Sequence, residues 1–75
     1  MALVSNIREG LKNKSTIHKG TECSYFIIYN DEGKKYLQLD TYGSDDREIT
    51  GKVSQSIQFS PEAIKELKQL LAKEF

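Results

Sequence analysis

Residues 23–42 read CSYFIIYNDEGKKYLQLDTY, and the reading of this stretch decides the fold. Cys23 to Tyr29 is dense in aromatic and β-branched residues, which suit a pleated, half-buried surface. Lys35 to Tyr42 alternates apolar and polar side chains with a period of two, a second strand signal. Between them, Asn30-Asp31-Glu32-Gly33 is a four-residue loop whose glycine can take a positive φ, so the stretch predicts a β-hairpin. In its second strand Leu37, Leu39 and Thr41 share one face. Tyr36, Gln38, Asp40 and Tyr42 share the other.

The chain beyond the hairpin supplies a third strand and a helix. From about Lys52 to Phe59, Val53, Ile57 and Phe59 point one way, while Lys52, Ser54, Ser56 and Gln58 point the other. Gln55 interrupts the apolar side, which predicts incomplete burial there or a bulge that shifts the register. Ser60-Pro61-Glu62 reads as an N-cap, a proline at the first helical position and an acid facing the helix dipole. Ile64, Leu67, Leu70, Leu71 and Phe75 follow at three- and four-residue spacing, which predicts an amphipathic helix over 61–74.

The chain before the hairpin is less patterned. Leu3, Ile7 and Leu11 share a helical face, which allows a short helix over 2–12, although Gly10 weakens it by about 1 kcal/mol relative to Ala. Ser15 to Lys19 reads as a short strand turning at Gly20. The expected fold class is α+β: a small antiparallel β-sheet of three to four strands, packed by the C-terminal amphipathic helix, in one domain spanning 1–75.

Seventy-five residues leave a small core, and domains of this size usually need a staple. Cys23 is the only cysteine, so an internal disulfide is excluded, and nothing completes a zinc site. Association of two copies is the remaining common staple, and a homodimer through the apolar side of the 61–75 helix is expected. No apolar run approaches the 18 residues that a bilayer span needs, and MALVSNIREG lacks the apolar core of a secretory signal. A membrane partner is not expected, and a cytoplasmic, reducing location is.

Catalysis finds little support. His18, between Ile17 and Lys19, has no acid or thiol beside it in sequence and reads as a surface strand residue. Cys23 opens an apolar strand and reads as a buried structural thiol. Asp40, Asp45, Asp46 and Glu48 are hard-cation ligands by type, but their spacing does not make a twelve-residue calcium loop. The glycines form neither G-x-G-x-x-G nor a Walker motif. No enzyme, no cofactor and no metal site is expected.

Eleven basic residues balance eleven acidic ones, but unevenly. Residues 1–20 carry four basic side chains against one acidic (+3), residues 21–50 three against seven (−4), and residues 51–75 four against three (+1). The zero sum argues against a strongly basic nucleic-acid coat while leaving room for a local phosphate site.

KKYLQLDTYGSDDREITGK followed by SIQFSPEAIKELKQLL, within residues 34–75, resembles the single-stranded-DNA-binding domain of the positive-cofactor-four family of transcriptional coactivators. The shared steps are an alternating strand ending at Tyr42, an acidic loop from Ser44 to Glu48, Gly51-Lys52, a short strand from Ser56 to Phe59, and the helix cap Ser60-Pro61-Glu62. Gly43 stands where the family often has a further aromatic, and Thr50 where a proline is usual. The resemblance implies a curved antiparallel sheet, a dimer formed largely through the helices, and binding of unpaired nucleic acid with little sequence readout. By position it makes Lys52 a phosphate contact and Tyr42 an aromatic near the binding ridge.

Together these readings describe a small non-enzymatic protein that binds single-stranded DNA or RNA on an open sheet face. The expected roles are stacking by Tyr36 and Tyr42, phosphate contact by Lys19, Arg47 and Lys52, and hydrogen bonding by Gln38, Ser54 and Ser56. The alternative is a protein–protein interaction module, such as an accessory or inhibitor protein of a phage or defence system, presenting the acidic DTYGSDDRE stretch to a basic partner.

Overall fold

The computed structural model describes residues 1–11, 16–43 and 52–75. Within them, four strands and one helix follow in the order β1 (Ala2–Val4), β2 (Cys23–Tyr29), β3 (Lys35–Tyr42), β4 (Val53–Phe59) and α1 (Pro61–Glu74). The strands form one sheet in the order β1-β4-β3-β2. The pairs β2–β3 and β3–β4 are antiparallel, and β1 runs parallel to β4, so the sheet is mixed and the class is α+β.

The hairpin forms because its loop satisfies its own backbone. Gly33 N–H donates to the Asn30 carbonyl (3.0 Å), and Asn30 N–H donates to the Lys34 carbonyl (3.0 Å). The Asn30 side-chain Oδ1 accepts from the N–H groups of both Glu32 and Lys34, each at 2.9 Å. Gly33 sits at φ 78°, a conformation that a Cβ would strain, which is why glycine closes this turn.

Helix α1 starts where its cap requires. Ser60 has an extended backbone, and its Oγ accepts from Ala63 N–H at 3.1 Å. Pro61 fills the first turn, where no donor is needed. Ser60 N–H also donates to the Val4 carbonyl (3.0 Å), tying the β4–α1 junction to β1. The helix packs on β3 and β4. Ala63, at the first contact, is the one hydrophobic residue that is fully buried among those described.

Two expectations for the N-terminal part are corrected. Residues 2–4 form a strand, not the start of a helix, and Ser5 to Leu11 has no regular structure. An eleven-residue helix with an internal glycine is marginal by itself. The free edge of β4 offers Ala2, Leu3 and Val4 a ladder opposite Ile57, Gln58 and Phe59 instead. The expected strand over 15–19 is also absent from its described part: residues 16–22 have no regular structure, and Ile17 is fully exposed. Ser15 lies outside the described residues. The fourth strand is thus β1.

The pairing register divides the sheet into two faces. Leu37, Leu39, Ile57 and Phe59 share the apolar face with Ala2 and Val4 of β1. On β1, Val4 is half-buried while Leu3, on the opposite face, is 54% exposed, so the apolar face is partly covered at Val4. An open groove of about 560 Å³ remains along Met1, Ala2, Leu39, Thr41, Val53 and Ile57. The result is a plate with extents of 39 × 36 × 19 Å and a radius of gyration of 14.6 Å. A compact 75-residue domain would have about 11 Å.

Candidate nucleic-acid interface

Tyr36, Gln38, Asp40 and Tyr42 occupy alternate positions of β3 and so lie on one face of the sheet. Pairing adds Ser56 opposite Asp40 and Gln58 opposite Gln38 from β4. From β2 it adds Ser24 opposite Asp40, Phe26 opposite Gln38 and Ile28 opposite Tyr36. The face therefore holds a central polar patch with Phe26, Ile28 and Tyr36 at one end and Tyr42 at the other. Tyr36 and Tyr42 are six residues apart along β3, about 20 Å at strand rise.

The polar patch is wired internally. Gln58 Nε2 donates to Gln38 Oε1 (3.0 Å), and Gln38 Nε2 donates to Asp40 Oδ1 (2.9 Å). Ser56 Oγ donates to the same Asp40 oxygen at 2.7 Å. Asp40 is only 8% exposed, and among the described residues no buried side-chain nitrogen or oxygen lacks a partner. This network orients Gln38 and Ser56 before any ligand arrives, and it places a carboxylate at the centre of the face. A phosphate would be repelled there, so a strand of nucleic acid can use this face only with its bases inward and its phosphates at the rim.

Tyr42 is held from two sides. Its hydroxyl donates to Ser24 Oγ at 2.8 Å. Thr21 Oγ1 lies 3.0 Å from both the Tyr42 and Gly43 carbonyls, and Tyr42 N–H donates to the Glu22 carbonyl at 3.3 Å. These bonds extend the hairpin pairing one step past Cys23 and fix the backbone that carries the ring.

The register shifts between Thr41 and Tyr42, which pair with Gln55 and Val53 respectively, so Ser54 is the extra residue of a bulge. This is the disturbance that Gln55 signals in the sequence. Ser54 is exposed at that bulge and lies off the ladder that aligns Ser56 with Asp40. Lys52 is exposed just before β4, and Lys19 is exposed in the 16–22 connection that leads into β2. Arg47 lies outside the described residues, as do Asp45, Asp46 and Glu48.

Cys23 corrects its sequence reading: it is exposed on the edge strand β2, with Sγ 3.6 Å from the Ser24 carbonyl oxygen. The strand is apolar, but among the described residues it has a neighbouring strand on one side only. His18 is exposed in a segment without regular structure, so it is a surface residue but not a strand residue. Among the described residues, no group of three or more His, Cys, Asp or Glu side chains is placed to hold a metal ion. Nor is any helix among them long and apolar enough to cross a membrane.

Three residues of the face, Ser24, Phe26 and Ile28, were not singled out from the sequence, whereas Gln58 was placed on the polar side of its strand without a role. Gln58 completes the amide chain, and Phe26 and Ile28 flank Tyr36. The signal for Gln58 is its place two residues after Ser56 in an alternating strand. For β2 the sequence has no such signal, because CSYFIIY is apolar on both faces.

No protein-family model matches the chain, and neither the curated proteins nor the solved structures compared with it yield a match.

Proposed function

We propose that the protein binds single-stranded DNA or RNA across the face of Tyr36, Gln38, Tyr42 and Ser56, without enzymatic activity and with little sequence readout. The observation that carries this reading is the register, which aligns two tyrosines and a pre-ordered amide–hydroxyl patch on one surface. Tyr36 and Tyr42 stack on bases, and Gln38 and Ser56 face base edges or sugar oxygens. Lys19, Arg47 and Lys52 contact the phosphates that Asp40 excludes from the centre of the face, and Ser54 adds a hydrogen bond. The resemblance of residues 34–75 to the positive-cofactor-four family supports the same reading and favours a coactivator-like protein acting as a homodimer, and the single cysteine fits a reducing, cytoplasmic location.

Fluorescence anisotropy with a labelled poly-dT oligomer tests this. Three cations neutralising three phosphates predict a log–log salt slope of about −2 for a single strand. Absence of binding in low salt at micromolar protein would defeat the reading. One observation favours the second reading, a protein-interaction module: β2 exposes Tyr25, Phe26, Ile27 and Tyr29 in a row, which is surface of the kind that proteins bury against each other. A partner recovered stoichiometrically from nuclease-treated lysate, with no poly-dT binding, would favour it.

A further inference from the structure

We infer that the outer edge of β2 is the contact between two copies of this chain, joined antiparallel into one eight-stranded sheet. The inference takes up the homodimer part of the proposed function but places its contact at β2 instead of at the helix that the sequence suggests, and nothing in it depends on nucleic acid.

Two hydrogen bonds fix which backbone groups of β2 face outward. Tyr42 N–H donates to the Glu22 carbonyl, and Asn30 N–H donates to the Lys34 carbonyl. Residues 22 and 30 are therefore bonded toward β3, and in an antiparallel ladder so is every second residue between them. The N–H and C=O groups of Cys23, Tyr25, Ile27 and Tyr29 consequently point away from β3. β2 is the last strand of the sheet, so among the described residues no other strand meets them.

Edges of this kind are normally blunted by charge, proline, a bulge or a covering element. Among the described residues, β2 has none of these. CSYFIIY contains no charged residue and no proline, its seven-residue register with β3 is unbroken, and α1 packs on β3 and β4 instead. The strand exposes Tyr25 at 71%, Ile27 at 55% and Tyr29 at 60%.

The occupant is a second copy because the edge is complementary to itself. A two-fold axis through Phe26, normal to the sheet, pairs Cys23 with the partner's Tyr29 and Tyr25 with the partner's Ile27. That register engages all four outward residues of each strand. It sets an aromatic against a β-branched side chain and brings no like charges together. The surface area agrees. The chain exposes 6852 Å², against about 4,700 Å² for a compact monomer of its mass. The excess, taken over the whole chain, is larger than the roughly 800 Å² per partner that a standard interface buries. The axis also keeps the faces in phase, so the two polar patches become parts of one surface.

Sedimentation velocity of the full chain, reduced and free of nucleic acid, tests the proposal from micromolar to sub-millimolar concentration. A concentration-dependent dimer is expected. Phe26→Lys sets two ammonium groups opposite each other at the axis and should weaken the dimer about tenfold or more, with an unchanged circular dichroism spectrum. Phe26 faces its copy as a non-hydrogen-bonded pair with Cα atoms about 4.5 Å apart, inside disulfide range. Cys23→Ser/Phe26→Cys should therefore be captured as a covalent dimer on mild oxidation with diamide, and Cys23→Ser/Phe75→Cys should not. A strictly monomeric wild type would overturn the proposal. So would a dimer unaffected by Phe26→Lys, or one captured through Phe75 and not through Phe26.

Discussion

Strands β2 and β3 belong to one hairpin, yet their burial runs opposite to their polarity. β2, with five aromatic or aliphatic residues in succession, is exposed along almost its whole length. β3 is half polar, and it holds Asp40, which at 8% exposure is the most buried of the described strand residues. The difference is the number of neighbours. Among the described residues, β3 has a strand on each side and contacts with the helix, whereas β2 has β3 as its one neighbouring strand. In so thin a plate, position in the sheet order outweighs hydrophobicity in deciding what is covered.

Leu37 and Ile27 test this most directly, because they are cross-strand partners in one row of the apolar face, with Phe59 beyond Leu37. Leu37→Ala removes a half-buried side chain flanked on both sides and should cost about 2–3 kcal/mol in urea unfolding. A loss below about 1 kcal/mol would mean that the centre of the sheet is no better packed than its edge.

Asp40 breaks the comparison from the polar side. Asp40→Ala leaves the Gln38 amide and the Ser56 hydroxyl without their shared acceptor, at a cost of about 1–3 kcal/mol. Asp40→Asn keeps an acceptor and should cost less, while removing the negative charge. If the proposed function holds, the Asn variant binds poly-dT more tightly than wild type and the gain shrinks with added salt. Equal stability of the Ala and Asn variants would show that the network, although formed, contributes little.

Gly33→Ala probes the turn that both strands share. Nothing lies within 4 Å of a Cβ placed there, so the cost is conformational alone. At φ 78° it should be about 1 kcal/mol, paid equally by β2 and β3. A larger loss would show that the hairpin depends on its turn more than on the pairing of its strands.

Much of this architecture is local and was therefore legible in the sequence. The limits of β2 and β3 follow from composition and alternation, and the helix limits follow from a proline-containing cap and a 3.6-residue stripe. The alignment of Tyr36, Gln38 and Tyr42 with Ser56 follows from period-two alternation in two strands. β1 was not legible: three residues carry no periodicity, and their strand character comes from pairing with Ile57 to Phe59, more than fifty positions away. The exposure of β2 and Cys23 was not legible either. An apolar run signals burial, and only the sheet order reveals an edge.

Ile27→Ala should have the smallest effect, and its size should depend on protein concentration. In a monomer the side chain is already 55% exposed, so its truncation should cost about 1 kcal/mol or less at micromolar protein, well under the Leu37 value. If β2 is the contact between copies, the wild type gains stability as concentration rises, by mass action on the folded dimer. Ile27 sits opposite the partner's Tyr25 in that contact, so the variant gains less. The gap between the two urea midpoints should therefore widen from micromolar to sub-millimolar protein, while the gap for Leu37→Ala widens much less. A gap for Ile27→Ala that is large at every concentration would mean that β2 is packed within one chain and that the contrast with β3 is illusory. A small gap that never widens would leave the contrast standing and remove the dimer.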